Sequence, residues 1–125
     1  MAAQSILIIE DDIQFRNFIE EVLDDEGYTI FTADDGQQGI DLVEEQEPDL
    51  ILTDLLMPEK DGVRVISEVK CKFPQIPIIA MSGGQSVFSP VFLEAAATLG
   101  AMKTLNKPFK DEELLEAIKS CINSD

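Results

Sequence analysis

Residues 6–12 have the sequence ILIIEDD, in which four apolar residues lead directly into three acidic ones. Residues 50–54, LILTD, also end in an acid, residues 77–82, PIIAMS, end in a serine, and residues 104–108, TLNKP, contain a lysine. Continuous apolar runs of this kind are typical of strands buried on both faces of a parallel sheet. Ligands of such sheets bind beyond the carboxyl ends of the strands, so these polar residues are predicted to face one site.

Helical patterns separate the predicted strands. In the first, apolar residues recur every three or four positions through residues 15–23, and Gly27 then ends the helix. Similar patterns follow each later strand, and the fourth helix is predicted through residues 92–99. This succession predicts an α/β protein with a flavodoxin-like, doubly wound sheet of five parallel strands in the order 2-1-3-4-5, with five helices on its two faces.

The length and composition predict one domain spanning residues 1–125, without a linker or a low-complexity tract. No apolar run is long enough for a membrane span, so membrane insertion is not expected. Cys71 and Cys121 lack metal-ligand spacing, and the chain has no histidine, which makes a zinc site unfavourable. Both cysteines are predicted to be buried, reduced thiols on helices, and a cytoplasmic location is expected.

The net charge of −16 argues against nucleic acid as a direct partner, because phosphate backbones are bound by clustered Lys and Arg. Most of the 25 acidic residues are expected on a solvated surface. The acids that directly follow strands are the exception, since the predicted sheet order places them together.

In the predicted order the first and third strands are neighbours, which brings Glu10 and Asp11 close to Asp54. Two like charges about 4 Å apart repel by roughly 4 kcal/mol at an effective dielectric near 20, so such a group requires a cation or a proton. Hard oxygen ligands without histidine or cysteine favour Mg²⁺. Together with the ammonium of Lys107 and the hydroxyl of Ser82, they predict a phosphoryl-transfer site with a carboxylate nucleophile.

Four motifs occur in order, each at the end of a predicted strand: the Glu10-Asp11 pair, residues 53–58 (TDLLMP), residues 82–83 (SG) and residues 107–109 (KPF). In this combination the chain resembles the receiver domain of bacterial response regulators over essentially its whole length. The resemblance also implies a cis peptide bond between Lys107 and Pro108.

The resemblance implies a role for each site residue. Asp54 would accept the phosphoryl group, and Ser82 and Lys107 would bind it. The acid pair Glu10 and Asp11 would form the metal site with Asp54; Asp11 and Asp54 would ligate Mg²⁺ directly, and Leu56 would offer its backbone carbonyl. Arg16 lies five residues after Asp11, in the register of the family, and leaves Asp12 as a candidate N-cap of the first helix.

The implied function is a stand-alone receiver: a switch in two-component signalling whose protein-binding surface changes when Asp54 is phosphorylated. A histidine kinase or a phosphotransfer protein would supply the phosphoryl group, and a downstream protein effector would read the state. Such a protein catalyses only its own phosphorylation and dephosphorylation and is not otherwise an enzyme.

Three other functions are weighed against this one. A phosphatase of the haloacid dehalogenase type needs a second aspartate two residues after the nucleophile, where this chain has Leu56. A flavodoxin-type protein needs a Ser/Thr/Gly-rich loop after the first strand, where residues 10–12 are acids that would repel FMN. A receiver-like docking module that does not use phosphate remains open because of Thr104, which occupies the place of the Tyr or Phe that usually switches in receivers.

The segment between Ser82 and Lys107 is unusually apolar at Phe88, Val91 and Phe92. Some of these residues are predicted to form the output surface and to be exposed differently in the two states; the alternative is that they pack on the sheet. We therefore expect Phe88→Ala to weaken binding of the protein effector in one phosphorylation state. Equal binding of Phe88→Ala and wild type in both states would contradict this prediction.

Overall fold

The computed structural model describes residues 4–55, 62–83, 94, 97, 98 and 100–122. Strands and helices alternate along this part of the chain. In chain order they are β1 (Ser5–Ile9), α1 (Ile13–Asp25), β2 (Thr29–Ala33), α2 (Gly36–Gln46), β3 (Leu50–Asp54), α3 (Gly62–Lys72), β4 (Ile78–Gly83), β5 (Lys103–Lys107) and α4 (Asp111–Ile122).

The five strands form one parallel sheet in the order β2-β1-β3-β4-β5, which confirms the predicted topology. Bounds can be given for four helices in the described residues, where the sequence predicted five; Glu94, Ala97 and Thr98, within the predicted fourth helix, are also helical. Most of the predicted helix through residues 92–99 lies outside the described residues.

The hydrophobic core has two layers, one on each face of the sheet. Leu7 and Ile9 of β1 belong to the layer under α2 and α3, whereas Ile6 and Ile8 belong to the layer under α1 and α4. All four are fully buried, because successive strand side chains point to opposite faces and helices cover both. This two-sided burial explains why the central strands are continuous apolar runs.

Acidic side chains begin the first two helices. The Asp12 side chain accepts hydrogen bonds from the backbone N–H groups of Gln14 (3.0 Å) and Phe15 (3.2 Å), which confirms the predicted N-cap of α1. Asp35 accepts a bond from the N–H of Gln38 (2.9 Å) at the start of α2. These caps satisfy N–H groups that have no partner within the helix.

The strand register aligns the ends of the neighbouring strands at the edge predicted to carry the site. Ile9 lies opposite Thr53, so the next residues in the two strands are Glu10 and Asp54. On the other side of β3, Asp54 lies opposite Met81, and Ser82 follows it. The sheet therefore places these polar residues at one edge.

The prediction of two buried cysteines is correct for Cys121 and wrong for Cys71, which is exposed. The buried side of α3 is formed by Gly62, Val65, Ile66 and Val69, and position 71 lies off that stripe. The two cysteines are not joined in a disulfide. None of the described helices combines the length and the apolar character that crossing a bilayer requires.

Gly62 allows the start of α3 to approach the end of β3. Its N–H donates to the carbonyl oxygen of Leu55 (3.0 Å), and a Cβ at this position would lie 2.0 Å from the carbonyl oxygen of Asp54. Because backbone atoms must then move, we expect Gly62→Ala to lower the free energy of unfolding by about 1–3 kcal/mol, measured by urea denaturation.

Gly39→Ala in α2 is the matched control. The methyl group added there would meet the buried side chain of Ile9, at 2.3 Å from its Cδ1 atom and 2.8 Å from its Cγ1 atom, so side-chain atoms rather than backbone atoms must move. A loss of stability in Gly62→Ala no larger than that in Gly39→Ala would contradict the role assigned to this close approach.

Candidate functional site

Three carboxylates meet where the central strands end. Glu10 and Asp11 directly follow β1, and Asp54 is the last residue of β3. One carboxylate oxygen of each lies within 4.8 Å of those of the other two. The structure thus brings together the acids that the sequence predicted to converge.

The three acids differ in their access to solvent. Glu10 is fully buried and Asp54 is 6% exposed, whereas Asp11 is exposed. Only a small part of Asp54 therefore reaches solvent.

Lys107, the last residue of β5, contacts two of the acids. Its Nζ atom lies 2.5 Å from Oε1 of Glu10 and 3.4 Å from Oδ2 of Asp54. The Lys107 side chain is 18% exposed, so these ion pairs are partly shielded from water. Its positive charge offsets part of the repulsion among the acids.

Burial raises the pKa of Glu10 from 4.5 to about 7. The hydrogen bond from Lys107 acts in the opposite direction, and the charge of Asp54 adds to the increase. Without a further cation, Glu10 therefore takes up a proton near neutral pH.

The backbone around Glu10 is held by several contacts. Arg16 donates to the carbonyl oxygen of Glu10 (3.2 Å) and forms an ion pair with Asp34. The N–H of Asp12 donates to Oε2 of Glu10 (3.1 Å). The position of Arg16 in the sequence matched the receiver family. Its two contacts could not be predicted in the same way, because they depend on the placement of β1 and of the segment after β2.

Ser82 is fully buried and lies in β4, opposite Asn106 of β5 and one residue beyond Met81, the partner of Asp54. Its hydroxyl is therefore placed at the same edge of the sheet as the acids. Leu56, predicted to offer its carbonyl to a metal, lies outside the described residues.

Sequence reasoning missed the contact made by Phe15. The Nζ atom of Lys107 lies 4.7 Å from the centroid of the Phe15 ring, within the range of a cation–π interaction. The periodicity of α1 assigns Phe15 to the hydrophobic core, where the ring indeed packs in part. No local pattern links it to a lysine at the other end of the chain.

The acid cluster fits a divalent cation. The oxygen atoms lie within 4.8 Å of one another, and two ligands of one Mg²⁺ ion with metal–oxygen distances of about 2.1 Å are at most about 4.2 Å apart, so small side-chain shifts would let them share one ion. The donor set consists of carboxylates alone, which Mg²⁺ prefers to softer ligands. The exposed position of Asp11 would leave room for water or phosphate oxygens on the ion.

Residues 6–119 match the family model of the response regulator receiver domain. The chain belongs to this family. Receiver domains are signalling switches that interact with kinases and effector domains, and the family generally binds Mg²⁺ at an acidic pocket. The cis peptide bond predicted between Lys107 and Pro108 is present.

Solved structures of receiver domains are similar to this one over nearly their whole length. The chemotaxis protein CheY4 of Vibrio cholerae is 27% identical with a TM-score of 0.86, and the match covers 96% of this chain and 99% of that one. A CheY-like receiver domain protein of Methanospirillum hungatei is 26% identical with a TM-score of 0.88, with 98% and 95% covered.

A longer protein contains a similar domain. NtrX of Brucella abortus is 25% identical with a TM-score of 0.90; the match covers 98% of this chain but 27% of NtrX. The chain is thus a receiver domain of the CheY and NtrX type, consistent with a switch in two-component signalling.

The raised pKa of Glu10 predicts how the stability of the metal-free receiver domain depends on pH. Between pH 4.5 and about 7 the folded state retains a proton on Glu10 that the unfolded state loses. The contribution of Glu10 to stability is therefore present below this range and is lost as the pH rises through it. We expect Glu10→Gln to remove this part of the pH dependence, measured by urea unfolding in EDTA.

Glu45→Gln, which removes an exposed carboxylate of α2, should keep the pH dependence of wild type. The chain has no histidine to obscure the comparison in this range. If the free energy of unfolding changes with pH in the same way for Glu10→Gln and wild type, Glu10 does not titrate as assigned.

Proposed function

We propose that this protein is a phosphorylation-dependent switch of a two-component system, which accepts a phosphoryl group on Asp54 with Mg²⁺ and then changes its protein-binding surface. The observation that carries the proposal is the placement of Lys107, whose ammonium contacts both Glu10 and Asp54 beside a three-carboxylate cluster. This set of charges suits a carboxylate nucleophile and an incoming phosphoryl group.

Asp54 is the proposed nucleophile. One of its carboxylate oxygens would form a bond to phosphorus as the phosphorus–nitrogen bond of a phosphohistidine donor breaks, and the electron pair would leave with the histidine nitrogen. The ion pair with Lys107 and the hydrogen bond from Thr53 Oγ1 to the Asp54 carbonyl oxygen (3.0 Å) support a fixed position for this residue.

Glu10, Asp11 and Asp54 would hold the metal ion, together with the backbone carbonyl of Leu56. When bound, Mg²⁺ would neutralise negative charge on the phosphoryl oxygens. Glu10 is buried and bonded to Lys107, so it would act through its charge while Asp11 and Asp54 provide the direct ligands.

Lys107 and Ser82 would bind the transferred group. The Lys107 ammonium is 3.4 Å from Asp54, so a modest shift away from Glu10 would pair it with a phosphoryl oxygen. The Ser82 hydroxyl would donate a hydrogen bond to a second oxygen. The phosphorylated state would then differ from the unphosphorylated one in the partners of these two side chains.

Transmission of the signal must differ from the usual receiver mechanism, because Thr104 replaces an aromatic residue. Thr104 is exposed on β5 and has no ring whose burial could report phosphorylation. The same observation favours a second candidate function, a docking module that does not use phosphate. The intact cluster of Glu10, Asp11, Asp54 and Lys107 supports the phosphorylated switch over that alternative.

The proposed partners are a histidine kinase or phosphotransfer protein that donates the phosphoryl group, and a protein effector that reads the state. The net charge of −16 favours protein partners over nucleic acid. A cytoplasmic location is part of the proposal; Cys71 and Cys121 are not joined in a disulfide, which supports a reducing compartment.

Incubation with acetyl phosphate and Mg²⁺, followed by intact mass measurement, tests the proposal. We expect wild type to gain one phosphoryl group and Asp54→Asn to gain none, since the amide is not a nucleophile toward phosphorus. Addition of EDTA should abolish labelling of wild type because the acid cluster then lacks its cation.

Asp41→Asn is the matched control, because it changes an exposed aspartate of α2 in the same way. It should be labelled as wild type is. Labelling of Asp54→Asn at the wild-type level, or no labelling of wild type in Mg²⁺, would overturn the proposed function.

A further inference from the structure

We infer that Phe15 is a positioning residue for Lys107: the face of its ring holds the ammonium between the acid cluster and the place of the incoming phosphoryl group. This inference rests on the proposed function, in which Lys107 binds that group. It assigns to the first turn of α1 a role in phosphoryl transfer that its helical pattern does not indicate.

The contact itself has the geometry of a cation–π interaction. The Nζ atom of Lys107 lies over the Phe15 ring at 4.7 Å from its centroid, and the Lys107 side chain is 18% exposed. Such contacts act within about 6 Å and strengthen when water is excluded from the cation. The partial burial of Lys107 therefore makes the ring a significant partner.

Two aromatic neighbours and a helix cap support the position of Phe15. The Phe109 ring packs edge-on against it, with centroids 5.2 Å apart and an interplanar angle of 74°, and Phe109 is itself 6% exposed. The ring of Phe18 is a second neighbour, with its centroid 5.8 Å from that of Phe15. The Asp12 side chain accepts a hydrogen bond from the backbone N–H of Phe15 (3.2 Å), which fixes the backbone next to the acid pair.

A ring face suits the task of Lys107 better than another anion would. The ammonium has three N–H donors and already contacts Glu10 at 2.5 Å and Asp54 at 3.4 Å. The π-system attracts its charge without accepting a strong directional hydrogen bond. Lys107 can therefore redirect an N–H from a carboxylate to a phosphoryl oxygen while its position over Phe15 is retained.

The length of the lysine side chain gives the ring a role beside the ion pair with Glu10. Lysine has a flexible four-carbon stem with many rotamers, so an ammonium without a fixed support samples positions away from Asp54. The ring of Phe15 restricts these positions before the phosphoryl group arrives. Weakening of the contact should therefore reduce the fraction of molecules ready for transfer and lower the rate.

Fluorination of the ring tests the inference, because it weakens the π-system while it changes the volume little. Phe15 is replaced in the full chain by 4-fluoro-, 3,5-difluoro- and 3,4,5-trifluorophenylalanine, and the rate of phosphorylation by acetyl phosphate in Mg²⁺ is measured. We expect the rate to fall with each added fluorine, by about fivefold for the trifluoro ring, as for the loss of one cation–π contact.

Phe18 provides the matched control, since it is half-buried on the same helix and its ring neighbours that of Phe15. The same fluorinated residues at Phe18 should leave the rate unchanged. The inference would be overturned if the rate of phosphorylation did not change across the fluorinated rings at Phe15, or if it fell equally for the rings at Phe15 and at Phe18. Phe15 would then be a packing residue.

A second measurement separates this inference from the proposed function. NMR relaxation of the Lys107 ammonium in the unphosphorylated protein should show restricted motion in wild type and greater motion with the trifluoro ring at Phe15. Absence of phosphorylation in wild type would overturn the proposed function. Unchanged Lys107 motion across the series would overturn the role of Phe15, whatever the rate of phosphorylation.

Discussion

Electrostatic repulsion at the end of the sheet is the constraint on which the site depends. The carboxylate oxygens of Glu10, Asp11 and Asp54 lie within 4.8 Å of one another, and unit charges about 4 Å apart repel by roughly 4 kcal/mol at an effective dielectric near 20. Lys107 offsets part of this repulsion through its contacts with Glu10 and Asp54. The remainder favours a bound cation or a proton. Burial, to which the charge of Asp54 adds, accordingly raises the pKa of Glu10.

The fold supports this concentration of charge with a rigid frame. The central strands are buried between two layers of apolar side chains, so their carboxyl ends are held in a fixed register. Arg16 holds the carbonyl of Glu10, and Asp12 caps α1 next to the acid pair. A site made of mutually repelling groups needs such a frame, because flexible loops would let the acids separate.

Much of the fold could be predicted because its signals are local. Apolar runs and their terminal polar residues indicated the strands, their order and the convergence of Glu10, Asp54 and Lys107. The burial of Cys71 was predicted wrongly, since one position's place on a helix surface depends on the exact orientation of that helix. Leu56 and most of the predicted fourth helix lie outside the described residues and stay predictions.

By itself the sequence determined which segments are strands and which chemical groups end them, because hydrophobic periodicity is a property of neighbouring residues. Only the tertiary structure decided how those groups meet. The contact of Lys107 with the Phe15 ring joins α1 to the end of β5, and the ion pair of Lys107 with the fully buried Glu10 joins β5 to the end of β1. Such contacts depend on the register and packing of distant segments, which no local pattern encodes.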